Sequence, residues 1–150
     1  MNRDISQQIT VESGMFKLLT EGLRNTLDWK VQGNDFSRKL TTLRFMAQSF
    51  QRHLEHLLAL EEFDGYMTLV EEKAPQLARS VDALKVQHEK FRTGSRRILH
   101  GLERLAATDK TRFNDTCDEF LALLEKIDEH NQRESDLFME ALAREGGGEG

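Results

Sequence analysis

Several helix-periodic stretches of this chain carry an imidazole or a carboxylate where an apolar residue is expected. His88 sits at the centre of the row Leu77, Val81, Leu84, Phe91, Ser95, Ile98, Leu102, Leu105. His53 lies between Phe50 and Leu57, Glu61 one turn further along that row, and His56 at its margin. His130 and Glu134 follow Ile127 at spacings of three and four, and Glu12 extends the row Phe16, Leu19, Leu23 backwards by one turn. Burying such groups without compensation costs on the order of several kcal/mol, so a cluster of them inside one core demands mutual pairing or a metal ion. Imidazole with carboxylate suits iron, manganese or zinc, and ligation without cysteine argues against soft-metal and iron–sulfur sites. Two metals bridged by carboxylates would account for both Glu61 and Glu134.

These residues need long elements to hold them. The periodicity predicts a first helix from about Thr10, a plausible N-cap, to Lys30, ending before the Gly33-Asn34-Asp35 turn cluster. A second helix is predicted from about Asp35 to Val70, with Gly65 kinking or fraying its end. A third starts near Pro75, the only proline and suited to a first turn, and runs to about Leu105. The fourth follows the Ala106 to Lys110 connection and continues to about Arg144, with Phe113, Cys117, Phe120, Leu124 and Ile127 on its buried side. Short connections make neighbouring helices antiparallel, which predicts an all-α, up-down-up-down antiparallel four-helix bundle over residues 1–145, with the glycine-rich tail 146–150 mobile.

Residues equidistant from a connecting turn share one height in such a bundle. His88 and His130 lie equally far on either side of a turn centred near Asp109, so they face each other. A turn centred near Ala74 sets Glu61 level with His88, and one near Gly33 brings Glu12 within a turn of the level of Leu57. Each helix thus offers a ligand to one layer: Glu12; His53, His56 and Glu61; His88; His130 and Glu134.

The run His130-Asn131-Gln132-Arg133-Glu134-Ser135-Asp136-Leu137-Phe138 resembles the last-helix His-x-x-x-Glu signature of hemerythrin-like (HHE cation-binding) domains. Gln87-His88-Glu89-Lys90-Phe91 resembles the family's third-helix His segment, and Phe50 through His53, His56 and Glu61-Glu62 its second-helix segment. With the four-helix layout, the resemblance spans nearly the whole chain before the glycines. It implies a non-haem di-iron centre that binds dioxygen, or a role in sensing and repair under nitric oxide or oxidative stress, with a diatomic ligand or peroxide as partner.

The chain also departs from that pattern. The first helix has no His, so Glu12, or Glu21, would substitute. Positions four after His53 and His56 are both Leu; a π-bulge between His56 and Glu61 would restore their register. Arg92 stands four after His88. These departures point away from reversible oxygen carriage toward a carboxylate-richer site for oxidase, peroxidase or sensing chemistry, or for another divalent metal.

Plainer readings stand beside these. His130 with Glu134 also reads as a surface pair, His88 as a core histidine satisfied by Glu134, and Glu12 as a charge at a helix N-terminus. Between His53 and His56 the ligand stays open. Glu62 points outward on the wheel, His100 lies off its stripe, Cys117 reads as a small apolar residue, and Tyr66 reads as helix-end packing or a residue near the site. Lys85, Lys90, Arg92, Arg96, Arg97 and Arg104 read as a solvated face.

A net charge of −5 over 150 residues argues against general nucleic-acid affinity. One Cys excludes an intrachain disulfide, and no charged-then-apolar leader is evident, so a reducing cytoplasm is the expected compartment. The longest apolar run, Phe120 to Leu124, is too short for a membrane span. Exposed apolar residues on the second helix, including Phe45 and Phe63, permit a homodimer. The functional alternative is a metal-free signalling or interaction bundle such as a histidine phosphotransfer module, which needs an exposed His.

Overall fold

The structure is a computed structural model that describes residues 3–33, 35–63 and 65–147. It is all-helical, with no strand among the described residues. Four long helices, α1 (Arg3–Asp28), α2 (Asp35–Glu62), α4 (Ala78–Arg104) and α5 (Lys110–Gly147), are joined by a short α3 (Tyr66–Lys73) and a 3₁₀ turn (Pro75–Leu77) between α2 and α4. No described helix is long and apolar enough to cross a membrane.

The first helix starts at Arg3, well before Thr10. No breaker separates the two positions, and Asp4 supplies the negative charge that favours a helix N-terminus. The second ends at Glu62 instead of Val70, because Gly65 does more than fray it. The chain folds back so tightly there that a Cβ on Gly65 would lie 2.4 Å from the Leu60 carbonyl oxygen and 2.6 Å from that of Glu61. α3 restarts at once, with the Leu69 amide donating to the Gly65 carbonyl at 3.3 Å. Pro75 opens the 3₁₀ turn that leads into α4, as its missing N–H allows. α5 continues two residues into the glycine tail; 148–150 lie outside the described residues, as does Asn34 of the predicted turn cluster.

The apolar stripes meet in a core where Phe50 of α2 packs on Phe16 of α1 (ring centroids 5.4 Å) and Phe120 of α5 (5.3 Å), and Phe36 sets its edge to Phe113 at 4.7 Å. Two cations on α2 close helix ends. Buried Lys39 donates to the Leu27 and Trp29 carbonyls at 2.8 and 2.7 Å, and Arg44 to those of Leu102 and Leu105, both at 2.7 Å. A second apolar cluster gathers α3, the 3₁₀ turn and the facing ends of α4 and α5: Met67, Val70, Leu77, Val81, Leu84, Leu137. Between the two clusters along α4 and α5 lie His88, His130 and Glu134, a polar layer sealed by apolar packing on both sides.

Candidate metal centre

His88 and His130 are almost wholly excluded from solvent, at 0% and 2% exposure, and Glu134 and Glu61 are each 7% exposed. The helical rows of α4 and α5 carry the imidazoles inward, so their rings meet with centroids 4.7 Å apart and the Phe91 ring stands edge-on to His130 at 5.0 Å. The two Nε2 atoms are 2.9 Å apart. Glu134 Oε1 lies 2.9 Å from that of His88 and 2.5 Å from that of His130. Glu61 Oε2 is 3.5 Å from His88 Nε2.

The outer nitrogens decide what the inner ones carry. His88 Nδ1 faces Glu62 Oε1 at 2.9 Å and His130 Nδ1 faces Gln87 Oε1 at 2.5 Å. Both partners accept, so each Nδ1 donates its N–H, and in the neutral rings both Nε2 atoms present lone pairs. Two nitrogen lone pairs and a carboxylate oxygen then point at one another within 2.9 Å inside an apolar shell. Such a triangle is repulsive unless a cation or a proton sits within it. Donors about 2.0–2.2 Å from a shared ion on one octahedral face stand about 3 Å apart, close to the size of this triangle. Carboxylate and amide partners behind ligating imidazoles are the arrangement that fixes tautomer and ring orientation at metal sites.

Charge around the triangle is ordered. Arg92 forms a two-pronged pair with Glu62, with both N–H···O contacts at 2.9 Å, and also pairs with Glu89. Burial alone would raise Glu62, but the hydrogen bonds from Arg92 and His88 outweigh it and hold its carboxyl below the usual range; Arg92 is raised in turn by Glu62. Glu61 is pushed well up by burial and then by the neighbouring Glu134 charge, so the metal-free site favours a proton on it. Burial opposes ionisation of Glu134 as well, yet its contacts with the His130 and His88 Nε2 atoms, between which the metal-free site holds a proton, bring it down to about 2. Tyr66 Oη is sealed from solvent without a hydrogen-bond partner among the described residues, and burial followed by the Glu61 and Glu134 charges keeps it protonated.

The structure brings together His88, His130, Glu134 and Glu61 of the expected ligands. Glu12, His53 and His56 form another group: Glu12 Oε2 is 3.3 Å from His53 Nδ1, and Oε1 is 3.7 Å from His56 Nε2. The His56 side chain is 55% exposed, and no contact joins this group to the triangle among the described residues. Because α1 begins at Arg3, Glu12 is far from the helix N-terminus and does not serve it. α2 is regular α-helix from Leu54 through Glu62, so the expected π-bulge is absent and Leu57 holds the position four before Glu61. Glu62 turns toward His88 instead of solvent, and Arg92 leaves the expected solvated face to hold it; α2 meets α4 along a face wide enough to take both Glu61 and Glu62. Gln87 was not anticipated; its position next to His88 in sequence was the available signal, since that places it beside the α5 row. His100 is exposed and Cys117 buried, as expected. In comparisons with known proteins, no family model, curated protein or solved structure matches the chain.

Proposed function

We propose that this chain is a metal-binding protein of the hemerythrin-like kind, an up-down-up-down antiparallel four-helix bundle holding non-haem iron for sensing or handling dioxygen, nitric oxide or peroxide. The bundle reading rests on paired contacts that run in opposite sequence directions: Phe16–Phe50 and Leu27–Lys39 along α1/α2, Arg44–Leu102 and Glu55–Arg96 along α2/α4, and His88–His130 and Arg97–Glu119 along α4/α5. The metal reading rests on one observation above all: the His88 and His130 Nε2 atoms and Glu134 Oε1 converge within 2.9 Å while both Nδ1 atoms are already committed to acceptors. Two imidazoles and one carboxylate with further positions open are the donor set that suits non-haem ferrous iron. Iron held there supplies open coordination positions and one-electron chemistry. The chain's own part is to exclude water, fix the imidazole tautomers through Glu62 and Gln87, and spread compensating charge through Arg92. These donors serve one ion. A second, as in a di-iron centre, would draw on Glu61 as bridge and on Glu12, His53 and His56.

A phosphotransfer role draws no support from His88, whose ring is fully buried. Elemental analysis with an ultraviolet–visible spectrum of the purified chain tests the proposal. The expected result is stoichiometric iron that is lost in both His88→Ala and His130→Ala; metal content unchanged in the two variants, or no metal in the parent, contradicts it.

A further inference from the structure

On their outer side α4 and α5 leave a long groove that borders the metal centre only through Gln87 and Phe91. It offers about 880 Å³, within the range of pockets that take a small molecule. Its floor is apolar, with Phe91, Gly94 and Ile98 on α4 and Ala122 and Leu123 on α5. Small residues keep that floor open, since a Cβ on Gly94 would already lie 3.6 Å from Leu123 Cδ1. Along α4 the groove runs from Val86 to Ile98, a rise of about 18 Å, which is the span of an extended aliphatic chain of about twelve carbons. A helix about 10 Å across laid over the same length occupies about 1,400 Å³, so the groove suits a thin chain instead.

Charge distinguishes the two ends of the groove. The His88–His130 and Arg97–Glu119 contacts fix the register of α4 against α5, which sets Lys90 level with the α5 segment between Lys126 and Arg133. At the Ile98 end Arg97 and Glu119 pair with each other at 3.9 Å, and Glu89 on the rim is held by Arg92. Lys90, Lys126 and Arg133 are exposed and have no ion-pair partner among the described residues; of the acids lining the groove, only Glu129 is left to face them. The chain that gathers these three cations at one place carries a net charge of −5. We infer that the groove binds an aliphatic carboxylate, its head held by Lys90, Lys126 and Arg133 and its chain laid over Phe91, Gly94 and Ile98. Charge-assisted hydrogen bonds from the ammonium and guanidinium groups orient the head, while covering the methylenes on the floor supplies most of the affinity. The groove forms without a metal ion, so its ligand is independent of the metal reading above.

Calorimetric titration of the metal-free chain with dodecanoate, kept below its micelle concentration, provides the test. About one dodecanoate is expected per chain, with octanoate bound about tenfold or more weakly because less of its chain is covered. Dodecyltrimethylammonium has the same chain with the opposite charge and should also bind about tenfold or more weakly than dodecanoate. Lys90→Gln, Lys126→Gln and Arg133→Gln combined in one chain should lower dodecanoate affinity about tenfold or more. Gly94→Leu, which fills the floor, should abolish binding; circular dichroism checks that both variants keep the helix content of the parent. No dodecanoate bound by the parent, equal affinity for the two amphiphiles, or undiminished binding in either folded variant overturns the assignment. With no ion in the titration, each of these outcomes leaves the His88–His130–Glu134 reading standing.

Discussion

Each imidazole at the centre of the site is held at its Nδ1 by an acceptor from a neighbouring position, Glu62 for His88 and Gln87 for His130. With the outer nitrogens donating, the inner nitrogens and Glu134 are left as a set of acceptors that is stable only around positive charge. Glu61 shows the cost of having no cation, since burial and the Glu134 charge both favour its protonated form. Glu61→Gln removes a carboxylate that the metal-free fold disfavours. It should raise metal-free stability by about 1 kcal/mol, read from the urea midpoint, while weakening iron binding about tenfold or more. Loss of stability together with unchanged iron affinity would show that Glu61 is a packing residue only. At this scale the inner residues were legible in the sequence because an ionisable group breaks an apolar row at His88, His130, Glu134 and Glu61. Their outer partners were not, because Glu62 and Arg92 read as solvent-facing on a helical wheel that contains no neighbouring helix.

α3 is the element that sequence periodicity merged into α2. The apolar spacing runs on through Met67 and Val70, and only the steric demand at Gly65 interrupts it. The interruption matters, because a continuous helix would leave the second apolar cluster without Met67 and Val70. Gly65→Ala should therefore cost about 2–4 kcal/mol in thermal or urea unfolding, since its Cβ would meet backbone oxygen and not a movable side chain. Gly14→Ala, with nothing within 4 Å of its Cβ, should be neutral or slightly stabilising in the same measurement. Equal effects of the two substitutions would show that the close turn after α2 is not required. The four long helices were legible, Asp35, Leu105 and Lys110 falling within a residue of their boundaries, because turn residues punctuate them there. The start of α1 was not, since nothing between Arg3 and Thr10 breaks a helix and Thr10 competes as a capping residue.

Across the whole molecule, the two apolar clusters enclose an ionisable layer whose protonation couples to folding. Glu134 titrates at about 2 in the folded chain against an ordinary 4.5, so its stabilising contribution is fully present above about pH 4.5 and lost as pH falls toward 2. Glu61 is shifted the other way and favours the fold at low pH, losing that contribution as pH rises. In the metal-free protein, Glu134→Gln should flatten the acid limb of the urea-midpoint profile between about pH 5 and 2, removing on the order of 2 kcal/mol of pH dependence. An acid limb identical to that of the parent would show that the Glu134–imidazole contacts do not carry this linkage. The convergence of α4 and α5 at His88 and His130 was legible from equal spacing about the Asp109 turn. The separation of Glu12, His53 and His56 into their own group was not, because level in a bundle fixes height along the axis but not which neighbour a side chain faces. The central claim is located most directly by anomalous diffraction from crystals of iron-loaded protein. The account predicts a peak bonded to His88 Nε2, His130 Nε2 and Glu134 Oε1; a peak elsewhere, or none with the chain intact, would contradict it.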